Sequence, residues 1–234
     1  MTTSAFTMNV NSNVRPERAS NWEIGTNLRR DNLLTDDDSA MLKFGYFDWS
    51  VKDYIAREWG TTPQGWSGMR IHNIDSAHFA GLEISGRYEV GGFAAELAAN
   101  YYTDVEFCRT AASCENKSLY ADYATNQVPP RYSVDLTLTQ KLMDDALTIG
   151  GRVSHVGRRA IGHGDVTAQG ASQFIALVNW TPYTLVDVFA EYKFNDRLTG
   201  TVQNLTDTYY VEPLSLVVQP GPGRTFYGSL TASF

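Results

Sequence analysis

Histidine, cysteine and arginine are the side chains of this chain whose chemistry depends most on their spacing. The four histidines are His72, His78, His155 and His163. None of them lies in an H-E-x-x-H pattern, and no serine lies in a G-x-S-x-G turn. A hydrolytic site needs a clustered nucleophile, base and orienting acid, and the chain offers no such cluster. The sequence therefore predicts no catalytic residue and no enzyme activity.

The two cysteines, Cys108 and Cys114, stand six positions apart in the polar stretch CRTAASC. This spacing fits a small disulfide-closed loop in an oxidising compartment, and the alternative is a pair of unpaired thiols. A zinc site is not predicted, because the spacing is not C-x-x-C and no further paired ligands follow. A bond across so short a loop stabilises by about 2 kcal/mol in the chain-entropy model, so we expect it to tether loop residues locally.

The overall charge and hydropathy limit the classes of protein to which the chain can belong. The chain has 19 basic and 26 acidic residues, which argues against nucleic acid as a partner because phosphate binding needs a basic surface. No run of about 18 apolar residues exists, so no transmembrane helix is predicted. A mean hydropathy of -0.29 ordinarily indicates a soluble protein. That inference fails for membrane β-barrels, whose strands place only alternate residues against lipid.

The start of the chain carries no recognisable targeting signal. Residues 1–10 read MTTSAFTMNV, with no basic start and no long apolar stretch. A secretory signal has both features, so this segment is not one. The sequence alone leaves two interpretations open, a cytosolic protein or a piece of a longer chain.

Alternation of apolar and polar residues is the main structural pattern, and it extends through most of the chain. In the stretch 185–194 the apolar positions are Val186, Val188, Ala190, Tyr192 and Phe194, and the charged positions are Asp187, Glu191 and Lys193. A period of two indicates strands with unlike faces. Nine strands are predicted, near residues 20–30, 40–57, 80–90, 93–104, 132–142, 146–157, 185–194, 198–210 and 225–234. The second of these slips phase between Tyr46 and Trp49, which predicts a β-bulge there.

Connections between the predicted strands alternate strictly between short and long. The short ones read LTDDDS, EVGG, MDD and NDR, and the long ones are residues 57–70, 108–130, 158–182 and 211–224. Long loops gathered at one end of a meander are typical of outer-membrane barrels, and a soluble β-sandwich has no reason to segregate its loops in this way. The pattern therefore favours a membrane barrel over the sandwich. We expect Val186, Val188, Tyr192, Leu230 and Phe234 to point outward, and Asp187, Glu191, Lys193 and Thr231 to point to the lumen.

Aromatic residues lie mostly towards the predicted strand ends, as girdles at two membrane interfaces require. They include Trp22, Tyr46, Trp49, Tyr88, Tyr101, Tyr132, Tyr192, Tyr209 and Tyr210. The alternative explanation is that β-strands in general favour aromatic residues. The aromatic pattern therefore supports a membrane barrel without deciding it.

Four segments match the motifs of one protein family, in the right order and at the right strand ends. NSNVRPERASNWEIG resembles the N-P-x-L-x-P-E…W-E-x-G segment of TonB-dependent receptors, with Ser12 at the usual proline position. The other three are NIDSAHFAGLEISGRY, VQNLTDTYYVEP and the terminal PGPGRTFYGSLTASF. The stretch from WTPYTLVDVFAEYK to the PGPGRT motif looks most like the haem and hemophore receptors of this family.

The resemblance implies an all-β fold, an antiparallel up-and-down meander of about nine long strands. It would be the C-terminal portion of a twenty-two-stranded transmembrane β-barrel, without the plug domain, TonB box or signal peptide of the family. Residues 1–19 would be a poorly ordered remnant of an extracellular loop, and residues 20–234 the barrel part. The chain would then be a truncated gene product, a fragment or the result of a misassigned start. The signature residues Asn204, Asp207, Gly223, Arg224 and Phe234 are expected to have structural roles.

The function implied by the resemblance is uptake of an iron compound across the bacterial outer membrane. Haem or hemophore-bound haem is favoured as the transported ligand, a ferric siderophore is the other candidate, and no covalently bound cofactor is expected. Expected partners are outer-membrane lipid, a hemophore or haem protein at the extracellular loops, and the TonB complex through an absent N-terminal part. The alternatives are another outer-membrane barrel, of porin or adhesin-translocator type, and a receptor fragment without function.

Three residues of the segment RRAIGHGDV are the candidates for contact with the transported ligand. They are His163, which lies in a long glycine-flanked loop, together with Arg158 and Arg159. Imidazole suits iron, although a single histidine is common in loops. The resemblance places the principal haem ligands on the plug and on an extracellular loop before residue 1, so we expect this chain by itself to bind haem weakly or not at all.

Overall fold

Nine antiparallel strands form the main sheet within the part of the chain that the structure describes. The computed structural model describes residues 7–9, 13–61, 67–115, 128–160, 181–193, 197–212 and 220–231. The strands in these ranges are β1 (Thr7–Asn9), β2 (Arg18–Asp31), β3 (Asp38–Lys52), β4 (Ile55–Thr61), β5 (Ser67–Asn73), β6 (Ser76–Val90), β7 (Phe93–Thr110), β8 (Ser113–Glu115), β9 (Tyr132–Leu142), β10 (Leu147–Val156), β11 (Tyr183–Lys193), β12 (Arg197–Gln203) and β13 (Thr225–Thr231).

The main sheet follows the chain in order, which confirms the predicted meander. Its strand order is β13-β12-β11-β10-β9-β7-β6-β3-β2, and every neighbouring pair is antiparallel. The strands β2 and β13 form its two edges. The long connections add short strands that the alternation does not predict: β1, β5 and β4 form a second sheet, and β8 pairs with β7. Within the described ranges, no helix is long and apolar enough to cross a membrane.

The strand register sorts the side chains of the main sheet into two unlike faces. The face called outer here carries Leu42, Phe44, Ile84, Leu97, Leu136, Leu138, Ile149, Val153, Val186, Val188, Tyr192, Leu198 and Leu230. The opposite, inner face carries Lys43, Glu83, Arg87, Glu96, Asn100, Asp135, Thr137, Arg152, Asp187, Glu191, Lys193 and Thr231. This sorting matches the predicted orientations; Phe234 lies outside the described residues. A broad exposed apolar face on a sheet is the surface that a lipid-facing barrel wall needs.

The phase slip between Tyr46 and Trp49 is not the β-bulge that the sequence predicts. The register of β3 with both β2 and β6 is unbroken from Asp38 to Lys52. The side chains alternate regularly, but the apolar ones change from the outer face at Tyr46 to the inner face at Phe47. A bulge does occur one strand pair away, where the register of β6 with β7 shifts between Ala80 and Gly81.

The same exchange of faces occurs on the neighbouring strands. Towards the long connections, Phe79 on β6 and Phe107 on β7 point inward and join a buried apolar cluster. The cluster contains Ala56, Ile74, Ala77, Val105, Phe107 and Val128. On the outer face of this region stand polar residues such as Asp48 and His78. The apolar outer face on the other side of Tyr46, with Leu42, Phe44 and Ile84, is called the apolar belt here. From Tyr46 towards the long connections, the outer face is polar and the inner face packs a core. The strands therefore leave the lipid-facing zone near Tyr46.

The sheet has two ends. The end at which short connections join the strands is called the short-turn end, and the end with the long connections is called the long-loop end. At the short-turn end, a buried Asp38 accepts hydrogen bonds from the backbone N–H groups of Leu33, Leu34 and Thr35 and from the Tyr88 hydroxyl. At the long-loop end, β3 ends at Lys52, just before Asp53 with a φ of 56°, and β12 ends at Gln203, just before Asn204 with a φ of 48°. The predicted strands 40–57 and 198–210 therefore end earlier than the alternation indicates, because Asp53 and Asn204 turn the backbone.

Candidate functional site

Ion pairs cross the inner face of the sheet from strand to strand. Arg87 pairs with Glu96 on the neighbouring strand and with Glu89 at 2.5 Å on its own strand. Arg152 on β10 pairs with Asp135 on β9, with 3.0 Å between Nε and Oδ1. The arginine side chains are 42% and 51% exposed, so each pair contributes little to stability. The inner face around these ion pairs is therefore polar and accessible to water.

A groove lies on this inner face at the long-loop end of β9, β10 and β11. Its volume is about 450 Å³, and it is called the tyrosine groove here. The rings of Tyr183 and Tyr210 form one side, with their centroids 4.8 Å apart. Arg152, Ser154, Asp135 and Glu212 also line the groove, so two carboxylates lie near its arginine. The groove thus combines aromatic side chains with charged groups of both signs.

The Tyr210 ring packs closely against the backbone at Gly221. A Cβ atom at Gly221 would lie 1.9 Å from Cζ of the Tyr210 ring, so a larger residue there would displace the ring. The Gly221 N–H also donates to the Tyr210 carbonyl at 2.9 Å. Burial, together with the nearby carboxylates of Glu212 and Asp187, raises the pKa of the Tyr210 hydroxyl. This hydroxyl is therefore a neutral hydrogen-bonding group at physiological pH.

The residues predicted from RRAIGHGDV do not form one described site. Arg158 is exposed, whereas Arg159 is 1% exposed and bridges to Pro130. The buried guanidinium of Arg159 offers almost no surface to a ligand. His163 lies outside the described residues. A role of these three residues in ligand contact therefore stays a prediction.

Asn204 is the centre of a hydrogen-bonded turn that connects β12 to the following loop. Its backbone N–H donates to Asp187 Oδ1 at 2.8 Å, and its side-chain amide donates to the carbonyls of Thr208 at 2.9 Å and Pro222 at 3.1 Å. Its Oδ1 accepts from the Thr208 N–H at 2.8 Å. Asn204 is 4% exposed and has a φ of 48°, a conformation that asparagine tolerates well.

Asp207 ties the same turn to the start of the last strand. Its Oδ1 accepts from the backbone N–H of Arg224 at 2.9 Å, and the Arg224 side chain donates to the Leu205 carbonyl at 2.8 Å. A Cβ atom at Gly223 would come within 2.9 Å of the same Asp207 oxygen. These contacts direct the chain from the loop into β13. Asn204, Asp207, Gly223 and Arg224 thus form one connected set, called the Asn204 turn below.

A second set of polar contacts lies where β3 ends and attaches the segment before β2. Asp53 accepts hydrogen bonds from Arg15 Nε at 2.9 Å and Arg18 Nη2 at 2.8 Å. Asn73 accepts from the backbone N–H of Arg15 at 2.7 Å, and Glu17 accepts from the Ile55 N–H at 2.8 Å. In this way residues 15–18, within the segment predicted to be poorly ordered, are bound to the rest of the chain. The order of residues 1–19 as a whole stays a prediction.

We expect Asp53→Asn to expose the segment before β2 to protease. Hydrogen bonds from Arg18 and Arg15 hold the pKa of Asp53 below its ordinary value. A lowered pKa means that the stabilisation is present above the unfolded-state pKa and is lost as pH falls through the folded-state pKa. Trypsin cleavage after Arg18 should therefore rise several-fold in the variant at pH 7, and cleavage of the same segment by an acid-tolerant protease should rise in the unchanged protein under acid conditions.

The matched control for this variant is Asp75→Asn. Asp75 is an exposed carboxylate in the same region, and its side chain contacts Ser76. Cleavage can be followed on intact cells at pH 7 and, with an acid-tolerant protease, at pH 4. Equal cleavage of the two variants at pH 7 would show that the Asp53 contacts do not attach the segment.

The two cysteines lie opposite each other in the hairpin formed by β7 and β8. Cys108 pairs with Cys114 in the strand register, and the two sulfurs are joined in a disulfide. Glu106 lies close to both sulfurs. A sulfur held in a disulfide is not a thiolate ligand, so this cluster is not a metal site. The bond closes the tip of a strand extension at the long-loop end.

Two histidines stand on the outer face just beyond the apolar belt. His78 lies between two carboxylates, with Nδ1 2.9 Å from Asp104 Oδ2 and Nε2 3.1 Å from Asp48 Oδ1. This arrangement joins β3, β6 and β7. His155 stacks on Tyr132, with ring centroids 5.5 Å apart. The two carboxylates use both nitrogens of His78, so its contacts fit an interstrand tie rather than a metal or haem ligand.

Comparison with known proteins agrees with this geometry. The family model for the β-barrel of TonB-dependent receptor-like proteins matches residues 2–205. This chain belongs to the TonB-dependent receptor family. The meander, the apolar outer face and the polar inner face thus match the wall of a TonB-dependent receptor barrel, and among the described residues β2 and β13 are its two edges.

Relatives of this receptor chain include named haem receptors. The hemophilin receptor of Acinetobacter baumannii is 22% identical over 94% of this chain and 23% of its own length. The heme/hemopexin utilization protein C of Haemophilus influenzae is 26% identical over 96% of this chain and 30% of its own length. The chain thus spans less than a third of the length of these relatives.

A solved structure gives a similar result. The hemophore receptor HasR of Serratia marcescens, in complex with its hemophore HasA and heme, superposes with a TM-score of 0.67. It is 25% identical in sequence, over 97% of this chain and 33% of the HasR chain. The match thus includes nearly the whole chain and a third of the HasR chain.

The sequence patterns do not predict the tyrosine groove. In them Tyr210 is one of the aromatic residues towards strand ends, and Tyr183 has no assigned role. One available signal was the pair of segments WTPYT and TDTYY, which both place tyrosines at the long-loop end. The other was Arg152, an arginine on the inner face of β10 amid otherwise uncharged residues.

Proposed function

We propose that this chain is part of an outer-membrane transporter that takes up haem, either free or delivered by a hemophore. The observation that carries the proposal is the agreement among the relatives. Matches spanning 94% or more of the chain include a hemophilin receptor, heme/hemopexin utilization protein C and TonB-dependent heme receptor A. The likeness to HasR, described with its hemophore and heme, supports the same ligand class.

The proposed protein works without covalent catalysis. The inner face carries ion pairs and hydroxyl groups but, among the described residues, no nucleophile with an adjacent base and orienting acid. The apolar outer face would contact outer-membrane lipid. The long-loop end would face the outside and meet haem or a hemophore. Energy would come from the TonB complex, through parts of the receptor other than the strands described here.

A ferric siderophore is the second candidate ligand. Solved structures that resemble this chain include siderophore receptors, such as PirA of Acinetobacter baumannii with a TM-score of 0.65. At 19% identity this likeness supports the barrel fold and not a ligand. The haem receptors are therefore the better guide to the ligand.

Growth on defined iron sources tests the proposed ligand. Cells that lack the gene should fail to grow, or grow much more slowly, with hemin as the only iron source. The same cells should grow normally on a ferric siderophore, which serves as the matched control because it also needs TonB. Normal growth on hemin combined with lost growth on one siderophore would overturn the haem proposal and favour the second candidate.

A further inference from the structure

A histidine between two carboxylates joins three strands of the main sheet beyond the apolar belt. His78 on β6 has Nδ1 2.9 Å from Oδ2 of Asp104 on β7 and Nε2 3.1 Å from Oδ1 of Asp48 on β3. These three residues are called the His78 clamp here. Because β6 lies between β3 and β7 in the sheet, the clamp couples two strands that do not pair with each other.

The donor and acceptor atoms of the clamp fit one protonation state of the ring. An ionised carboxylate only accepts hydrogen bonds, and a neutral imidazole has one N–H donor and one acceptor nitrogen. A neutral His78 would donate to one aspartate and turn a lone pair towards the other. The imidazolium ion donates from both nitrogens, and its positive charge lies between the two negative groups. The geometry therefore fits the protonated ring.

The charged groups around the ring favour the same state. Glu106 on β7 is the register partner of His78, and Lys52 on β3 lies two register positions away on the same face. With the two aspartates of the clamp, the described parts of β3 and β7 present three carboxylates and one ammonium group to this face. Partial burial of the ring favours its neutral form, but the hydrogen bonds to Asp104 and Asp48 outweigh burial and raise the pKa of His78 above its ordinary value.

The clamp lies on the opposite side of the sheet from the buried apolar cluster. Phe79, adjacent to His78, and Phe107 on β7 point to the inner face, with ring centroids 5.7 Å apart. Past the clamp, β7 continues into the hairpin closed by Cys108 and Cys114. The outer side of this strand extension is thus held by charge and its inner side by apolar contacts. A change in the charge of His78 would act on the outer side alone.

We propose that the His78 clamp is a proton-dependent tie that fixes the extension of β3, β6 and β7 beyond the apolar belt and loosens in alkaline medium. Loss of the ring proton leaves one aspartate opposite a nitrogen lone pair and removes the charge that separates the two carboxylates. Since the folded-state pKa is raised, the stabilisation is complete below the unfolded-state pKa of about 6.5 and is lost as pH rises through the folded-state pKa. This inference concerns the barrel wall and does not depend on the transported ligand.

The decisive measurement is guanidinium unfolding of the full receptor in lipid vesicles at pH 5.5 and pH 9, for the unchanged protein and for His78→Gln. Between these two pH values, the unfolding constant of the unchanged receptor should rise about ten-fold more than that of the variant. The reason is that a hydrogen bond between charged groups is lost only where the ring of His78 titrates. Other groups that titrate in this range are present in both proteins, so their effects cancel.

His155→Gln is the matched control. His155 stands on the same outer face, but its ring nitrogens meet the hydroxyl groups of Thr184 at 2.9 Å and Tyr132 at 3.3 Å. Hydroxyl groups can donate or accept, so these contacts do not need a second ring proton. The control should therefore keep the pH dependence of the unchanged receptor. If His78→Gln does not fold, the double variant Asp48→Asn with Asp104→Asn gives the same test, because it removes both carboxylates and keeps the histidine.

A local measurement distinguishes the clamp from a general effect on stability. At pH 5.5, backbone hydrogen exchange in residues 104–110 of β7 should be faster in His78→Gln than in the unchanged receptor, and at pH 9 the two should agree. Both proteins are compared at one pH, so the intrinsic pH dependence of exchange cancels. If His78→Gln retains the full pH dependence of unfolding, or if exchange in residues 104–110 is equal in the two proteins at pH 5.5, the clamp proposal is overturned.

Discussion

Arginine in place of Leu136 is expected to remove most of the folded receptor from the outer membrane. Leu136 lies in the middle of β9 on the outer face, with Leu97 and Val153 as its register partners on either side. All three side chains belong to the apolar belt that we assign to lipid. An arginine near the bilayer midplane costs about 2–4 kcal/mol, which corresponds to roughly a 30- to 900-fold change in the folding equilibrium.

The adjacent position supplies the control for this variant. Thr137 lies on the inner face, between Glu96 and Arg152 in the register. Thr137→Arg adds the same charge to the same strand, one position along, and should cost less than about 1 kcal/mol because its surroundings are wet and polar. The readout is the amount of folded receptor in outer-membrane preparations, followed by guanidinium unfolding in lipid vesicles. Equal losses for the two variants would show that the outer face is not the lipid-facing one.

The sheet itself could be predicted from sequence because its information is local. Alternation along each strand assigns the side chains to the two faces. The strict alternation of short and long connections determines which strands are neighbours and in which direction each runs. Residues such as Val186 and Asp187 therefore lie on the faces expected of them. This prediction uses only residues that are close in sequence and needs no distant contacts, so it succeeds along most of the meander.

The prediction failed where the environment of a strand changes along its length. Phe47 and Trp49 continue the alternation, but they stand beyond the apolar belt, where the inner face is the dry one. A period-two pattern cannot show which face of the sheet is buried at each position along a strand. The sequence therefore indicated a bulge at Tyr46 where the structure has an uninterrupted strand, and it missed the buried cluster around Phe107.

The candidate site was harder to predict because its residues come from distant parts of the chain. Arg152, Tyr183 and Tyr210 lie on β10, on β11 and in the loop after β12. Only the register of the strands brings them to one end of one face. Signature motifs identified the Asn204 turn, and the contacts that explain those motifs became visible with the structure.

The Asn204 turn leads to the second large effect that we expect. Asn204→Ala removes two donors and one acceptor, and it leaves the Thr208 N–H and the carbonyls of Thr208 and Pro222 without this partner. Each lost partner costs about 1–3 kcal/mol where water cannot replace it. Alanine at a φ of 48° adds about 1 kcal/mol. Since Pro222 is exposed and recovers a water, we expect a total of about 3 kcal/mol.

Asn32 provides a control of the same residue type in the same backbone conformation. Its φ is 56°, and it is exposed at the short-turn end, where its N–H donates to the Asp38 carbonyl. Asn32→Ala should therefore cost only the backbone part, about 1 kcal/mol. Asn204→Gly relieves the backbone but lacks the side chain, so it should fall between Asn204→Ala and the unchanged receptor. Guanidinium unfolding in lipid vesicles gives all three values.

The consequence of the loss is local to the loop that the Asn204 turn begins. This loop carries Tyr210, and the bond of Asn204 to Pro222 positions the segment that packs against the Tyr210 ring. If Asn204→Ala destabilises no more than Asn32→Ala, the hydrogen bonds of Asn204 do not hold the turn.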